Sequence, residues 1–297
     1  MITRVTGQTQ MRAAQANLQA SAQKLAMLQE QSSSLKTISR ASDDPARAAN
    51  ALAVRADQRA TAQYSRNAEN GDGWLSAVDT ALGASTTILN QVRDLTVQGA
   101  NAGTMTPAAK EAIAVQIDGL KQDLLMQANA TYLGRTVFAG NSDAGAVYAT
   151  DGTYTGGGAS AVLRRVGPDS TVQVDANGAA IFGTGADSVF TLLDNISADL
   201  RSTDPTVTVS DRLATIDTHL TGVIAANAEV GARQARIETA STSLTKLTGT
   251  LEAQRVQLED ADLATVILDL KLQEVAYQSA LSVTARVIQP TLMDFLS

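Results

Sequence analysis

Residues 244–275, LTKLTGTLEAQRVQLEDADLATVILDLKLQEV, decide the fold. Leu244, Leu247, Leu251, Leu258, Ala261, Leu268, Leu272 and Val275 fall on two alternating seven-residue series, with polar Gln254 and Thr265 in the gaps. An apolar stripe repeating every 3.5 residues faces a partner helix along its length, as in a coiled coil. At 1.5 Å per residue the tract spans about 48 Å if unbroken. The acidic cluster Glu259, Asp260 and Asp262 marks a joint within it, and Gly231 and Gly249 are weak points. The start of the chain repeats the pattern: Met11, Ala14, Leu18, Leu25, Leu28 and Leu35 share two heptad series with Ser21 and Ser32. Two ends that each need a helical partner can pair with one another, with other copies, or both. The same periodicity also suits core helices of an ordinary bundle.

Composition supports long helices. Of 297 residues only 3% are aromatic, which suits thin helical seams better than one thick core. The formal net charge of −7 disfavours generic nucleic-acid binding. Residues 1–40 are locally basic, with Arg4, Arg12, Lys24, Lys36 and Arg40 against Glu30, but too sparsely for a nucleic-acid or membrane-binding tract. The absence of cysteine excludes disulfides, thiol catalysis and cysteine-ligated metal, and is compatible with an extracellular destination. No stretch of about 18 apolar residues predicts a membrane span. The first twenty residues lack the apolar core of a cleaved secretory signal, so an extracellular protein of this sequence needs another export route.

Taken in order, residues 8–35 predict a first helix, weakened at Ser32, Ser33 and Ser34. Ser42-Asp43-Asp44-Pro45 ends it and starts a second: Ser42 or Asp43 can cap orphan amides, and Pro45 is tolerated in a first turn. No third or fourth hard ligand stands at a set spacing from Asp43 and Asp44, so capping is favoured over metal binding. The second helix runs over 46–98, with Leu52, residues 68–75, Val78, Leu82, Leu89, Val92 and Leu95 as contacts and Gly71, Gly73 and Gly83 weakening it. Trp74 reads as filler of a helix–helix seam. After a break at 99–103, Thr106-Pro107 opens a helix with Ile113, Ile117, Leu120, Leu124 and Leu125 inward. Residues 137–190 change character, with candidate strands at 146–149, 161–166, 171–175 and 180–182 and a hairpin signal at Asn177-Gly178. Phe182, Val189, Phe190 and Leu192 are its expected core, and the glycines at 156–158 make no phosphate loop. A short helix over 192–200 and a turn at Asp204-Pro205 follow. Ser210 or Asp211 then caps a helix with Leu213, Ile216, Leu220, Val223, Ile224, Val230 and Ile237 inward. Gln289-Pro290 interrupts helix before an apolar end, Leu292, Met293, Phe295 and Leu296.

No catalytic constellation emerges. His219 is the only histidine and has no patterned partner, and no serine sits in a Gly-x-Ser-x-Gly elbow. The residues alone describe a helical assembly protein, not an enzyme, with no cofactor and a mid-chain insertion.

Several segments resemble the bacterial flagellin superfamily, and within it the branch that joins the hook to the filament. Ser32-Ser33-Ser34-Leu35 followed by Arg40-Ala41-Ser42-Asp43-Asp44-Pro45 is similar to the family's Ser-rich segment and Ser-x-x-Asp-Asp, with Pro where flagellins commonly have Ala. Residues 92–101 resemble Val-Arg-Glu-Leu-x-Val-Gln-x-x-Asn, and residues 132–140 resemble a slightly extended Tyr-x-Phe-Ala-Gly turn. Residues 231–238 match Gly-Ala-Arg-x-x-Arg-Leu-Glu, residues 258–262 the late acidic joint, and Leu292-Met293-Asp294-Phe295-Leu296 resembles Leu-Phe-Asp-Tyr-Leu.

The resemblance implies a mainly α, elongated helical bundle with coiled-coil arms and a small mid-chain β-containing domain. Its expected domains are an N-terminal arm (1–42), a rod in two parts (43–136 and 192–258), a β-rich outer domain (137–191) and a C-terminal arm (259–297). It implies a non-enzymatic subunit, exported through the flagellar type III apparatus with a cytoplasmic chaperone, and working extracellularly at the hook–filament junction. Expected partners are other copies of itself, the first hook-associated protein and flagellin, without nucleic acid or membrane insertion. The alternatives are flagellin itself and, more remotely, an unrelated secreted helical assembly protein. Leu18, Leu25, Leu28, Leu35, Leu258, Leu268, Leu272 and Val275 are the candidate assembly seam, and Ser42, Asp43, Asp44, Pro45, Asp260 and Asp262 the candidate joint and cap residues. Polar seam positions predict arms that are mobile until assembly. Residues 142–188 are expected to be replaceable by a linker without loss of helical content.

Overall fold

A computed structural model describes residues 7–100, 105–142, 145–157, 160–204 and 208–288. The breaks and turns expected at 101–103 and 205, and the apolar end at 289–296, lie outside the described residues. The chain divides into two compact units, Met1–Ala60 with Thr248–Ser297, and Thr61–Leu247. Their boundaries fall inside the helices Pro45–Ala100 and Leu213–Glu259. Among the described residues seven α-helices follow in order: α1 (Gly7–Ser34), α2 (Pro45–Ala100), α3 (Pro107–Ala128), α4 (Gly178–Phe182), α5 (Val189–Arg201), α6 (Leu213–Glu259) and α7 (Leu263–Ile288). Two antiparallel hairpins, β1 (Thr131–Tyr132) with β2 (Arg135–Thr136) and β3 (Leu163–Arg165) with β4 (Thr171–Gln173), supply the strands.

In the Thr61–Leu247 unit the positions expected inward on α2 and α6 fall on strict heptads. Ala68, Leu75, Leu82, Leu89 and Thr96 of α2 are buried seven residues apart, as are Ile216, Val223, Val230, Ile237 and Leu244 of α6. A strict seven-residue repeat keeps one face of each helix turned to its neighbours. The hydroxyls inside this core are satisfied locally: Ser85 Oγ donates to the Ala81 carbonyl (2.7 Å) and Thr96 Oγ1 to that of Val92 (2.7 Å). Leu52 and Ile224, expected inward, are 62% and 51% exposed. Each sits outside the seven-residue series of its helix.

Gly71 does not break α2, because it is where the helix meets two neighbours. A methyl group there would come within 2.9 Å of Ile237 and 3.1 Å of Val174. Trp74 is buried on Tyr132, ring centroids 5.9 Å apart, with the Arg164 and Arg135 guanidinium groups 5.6 and 5.8 Å from its ring. It therefore packs α2 against the β1–β2 hairpin, whose turn at Leu133 and Gly134 uses φ of 49° and 79°.

The segment between α3 and α5 is less β-rich than expected. Residues 146–149 form no strand; Tyr148 makes one isolated bridge to Tyr154. Asn177-Gly178 is not a hairpin turn: Asn177 caps α4, its side chain accepting from the Ala180 amide (3.3 Å), so residues 180–182 are helical. Likewise Ser210 and Asp211 lie in a 3-10 turn, Val209–Arg212, that precedes α6.

This segment is not a detachable insertion. Phe138, Val147, Tyr148, Val174, Phe182 and Phe190 belong to one buried cluster with Trp74, Leu75 and Ile237. Asn129, ending α3, accepts from the Val147 and Tyr148 amides (2.7 and 2.9 Å) and donates to the Tyr148 carbonyl (2.8 Å). Arg233 of α6 donates to the Asp175 carbonyl (2.7 Å). Replacing 142–188 removes part of the core of the long helices, contrary to the expectation above.

Candidate assembly surface

In the unit built from both ends of the chain, α1 packs on α7. α1 runs toward the joint at residues 35–37 and α7 runs away from it, so the two helices are antiparallel. Ser21 fixes their register: Gln273 Nε2 donates to Ser21 Oγ (2.8 Å) and to its carbonyl (3.1 Å). The polar seam residue is thus paired. On α1, Leu28 is buried and Ala14, Leu18 and Leu25 are half-buried. On α7, Val266 and Thr284 are buried and Leu270, Gln273, Tyr277 and Ala280 half-buried, a spacing of three and four residues.

That spacing places the α7 seam on a different face from the one read in the sequence. Leu268, Leu272 and Val275 are 60, 62 and 63% exposed. At 100° per residue they lie roughly 160° around the helix from Val266, Leu270 and Tyr277. α7 therefore carries two apolar faces, one covered by α1 and one bare. Burying a bare side chain of this kind stabilises by about 1.5–3 kcal/mol. Leu258 is half-buried near the end of α6, whereas Leu35 lies beyond the end of α1 at φ 57° and is 52% exposed. Leu247 is also 43% exposed, outside the α6 series.

The joint is a clasp between the two chain connections. The 244–275 tract breaks at Asp260: the Thr37 amide donates to the Glu259 carbonyl (2.8 Å), the Ala261 amide to that of Leu35 (3.0 Å), and Thr37 Oγ1 to that of Asp260 (3.0 Å). Lys36 and Asp260 form a one-residue antiparallel bridge. Asp262 caps α7, accepting from the Ala264 amide (3.0 Å) and Thr265 Oγ1 (2.9 Å). Asp44, not Ser42 or Asp43, caps α2 by accepting from the Arg47 amide (2.9 Å), with Pro45 at the first helical position. Asp43 instead closes the preceding turn on the Arg40 amide (2.9 Å), and Ser42 is exposed.

Glu259 anchors the clasp. Its carboxylate is buried against Arg55 (2.5 and 2.6 Å), with Arg255 at 3.6 Å. The hydrogen bond from Arg55, outweighing burial, holds Glu259 below the usual carboxylate range, and bonds from Thr265 and the Ala264 amide do the same for Asp262. A depressed carboxylate contributes stability that is full above the unfolded value of about 4.3 and is lost as pH falls through the folded value. Amide-exchange protection at Thr37 and Ala261 is therefore expected to fall on acidification below about pH 4. Glu259→Gln should lower that protection at neutral pH and shrink its acid response. An unchanged response would remove Glu259 from this role.

Among the described residues, no group of three or more His, Asp or Glu could hold a metal, and no helix is long and apolar enough to cross a membrane. His219 is half-buried on α6, and desolvation lowers its pKa.

Residues 5–143 match the bacterial flagellin N-terminal helical region, and residues 213–296 the bacterial flagellin C-terminal helical region. The chain is 26% identical over 265 residues to the flagellar filament 30.7 kDa core protein of Treponema maltophilum, covering 86% of each. It is also 26% identical over 278 residues to flagellar hook-associated protein 3 of Salmonella typhimurium, covering 85% of this chain and 87% of that one. A solved structure of a flagellar hook-associated protein from Vibrio parahaemolyticus superposes with a TM-score of 0.67 at 22% identity, covering 73% of this chain and 100% of the other.

Proposed function

Because this chain belongs to the bacterial flagellin family, we propose that it is the structural subunit joining the hook to the filament. The observation that carries an assembly role is the second apolar face of α7, Leu268, Leu272 and Val275, left bare after α1 has covered the first. The placement at the junction is supported by Pro45 after the two acids and by the Tyr132–Gly140 turn, both similar to the junction branch. In this reading the subunit contacts further copies of itself, the first hook-associated protein on one side and flagellin on the other. It reaches that position through the flagellar type III apparatus with a cytoplasmic chaperone.

A second reading, the filament subunit itself, is favoured by the equal identity to the Treponema filament core protein. Deleting the gene separates the two. Loss of a junction subunit leaves hooks without filaments and flagellin released to the medium. Loss of the filament subunit leaves the junction in place and no flagellin released, which would overturn the junction reading.

A further inference from the structure

We propose that the face of the Thr61–Leu247 unit around Trp74 binds a small divalent oxyanion of the phosphate or sulfate class, gripped by Arg135 and Arg164. Two observations point to it, and neither depends on the junction reading. The first is an orphaned donor. Trp74 is 2% exposed, and its indole Nε1 is buried without a hydrogen-bond partner among the described residues. No other side-chain donor among them is left in that state. A buried N–H without an acceptor is costly enough to call for one.

The second is a pair of like charges gathered at the same ring. The Arg164 and Arg135 guanidinium carbons lie 5.6 and 5.8 Å from the Trp74 centroid. Neither arginine forms an ion pair among the described residues, whereas Arg93, Arg201, Arg212 and Arg233 of the same unit each do. Glu69 and Asp72, near Trp74 in sequence, stand roughly 140° and 160° around α2 from it, on the far side. Asp169 and Glu238 are exposed and pair with neither arginine, and Asp175 accepts from the Val162 amide (2.8 Å). Donors are left over at both guanidinium groups. Arg164 Nε donates to Asn70 Oδ1 (2.8 Å) and its Nη1 to the Leu163 carbonyl (3.4 Å), while the Arg135 guanidinium reaches only Asn141 Oδ1 (3.4 Å). Tyr132 adds a hydroxyl that bonds nothing among the described residues and lies so close to Gly73 that a Cβ there would overlap it.

Charge and donor count choose the ligand. Two guanidinium groups supply two positive charges and forked N–H donors, which match a tetrahedral dianion. A carboxylate brings one charge and two oxygens, and would leave one arginine unneutralised. Arg135 stands on β2 and Arg164 on β3, so an anion between them ties both hairpins to α2 across the indole. Arg135, exposed and held only by its long bond to Asn141, is the side chain free to draw aside and admit it.

Trp74 is the only tryptophan, so the site carries its own reporter. Titrating the purified full chain with sodium phosphate near neutral pH, with sodium chloride holding ionic strength constant, is expected to change its fluorescence saturably. The melting midpoint read at Trp74 should rise with phosphate and with sulfate but not with chloride. Arg135→Gln and Arg164→Gln should each raise the half-saturating phosphate concentration about tenfold, and acetate should compete about tenfold more weakly than phosphate. Arg236→Gln, a charge-matched change at an exposed site on α6, should alter nothing. Arg135 is exposed on β2, so Arg135→Gln decides the matter even where Arg164→Gln does not fold. If the fluorescence is silent, broadening of the phosphate signal in phosphorus NMR reads the same binding. A response equal in chloride, one that survives Arg135→Gln unchanged, or no signal by either method would overturn the proposal. The junction reading stands or falls separately, on the gene deletion.

Discussion

Tyr148→Ala is expected to destabilise the Thr61–Leu247 unit by about 3–5 kcal/mol, the cost of truncating a fully buried aromatic. The ring is 1% exposed and lies 4.8 Å from Phe190, 5.4 Å from Tyr154 and 6.1 Å from Phe182, centroid to centroid. Its hydroxyl donates toward the Gly178 (2.9 Å) and Gly183 (2.8 Å) carbonyls, which closes the loops around α4. Tyr148→Phe keeps the ring and removes only that hydroxyl, so about 1–2 kcal/mol is expected. The consequence extends beyond the loops because the ring cluster is continuous with the core beneath α2 and α6. Trp74, the only tryptophan, reports on that core. Its fluorescence, and the share of the far-UV helical signal that belongs to the Thr61–Leu247 unit, should be lost at lower denaturant in the Tyr148→Ala chain than in the native one. A Tyr148→Ala chain that keeps the stability of the native one by both probes would show that the mid-chain segment is an independent module after all.

Leu268→Ala combined with Leu272→Ala is expected to separate stability from assembly. Both side chains are more than half exposed in the single chain, so the double variant should melt within about 0.5 kcal/mol of the native protein. If the stripe is covered in the assembly, as proposed, each truncation costs about 2–5 kcal/mol at a fully packed site, enough to abolish attachment and filament growth. Leu28→Ala is the counterpart. Leu28 is 8% exposed and, in the register set by Ser21 and Gln273, stands level with Val266, so its truncation should loosen the α1–α7 pair in the isolated chain. A double variant that melts several degrees lower would place Leu268 and Leu272 in an intramolecular seam. One that builds normal filaments would remove them from the assembly surface.

The two outcomes trace back to what heptads reveal. The tract at 244–275 announces helix and a partner, and the acids at 259–262 announce its break, because both signals are local. Which face of α7 meets α1 is not local. Leu268, Leu272 and Val275 form the more apolar stripe, yet the intramolecular seam takes Val266, Leu270, Gln273 and Tyr277, leaving the greasier face outward. Counting apolar residues ranks faces by their need for burial and is silent on whether the partner is in the same chain. Helix starts fared better where a cap lay next to Pro, as at Thr106 and Asp44, since those bonds reach only three residues. Asn177-Gly178 misled for the complementary reason. Asparagine favours a hairpin turn and a helix cap alike, and here the neighbouring ring cluster selects the cap. Gly71 could not be read at all from the chain, because its reason for being glycine, Ile237, stands far away in sequence.

The clasp at residues 35–37 and 259–261 has a mechanical consequence. α7 is attached to α6 covalently at the joint, while α1 is attached to the same point by the amides of Thr37 and Ala261. A torque that swings α7 about the end of α6 is therefore transmitted to α1 through those bonds as well as along the helix pair. The two terminal helices then turn as one lever on one pivot. The stiffness of that pivot is set by the bonds at Thr37 and Ala261 together with the Arg55–Glu259 pair, in place of helix continuity.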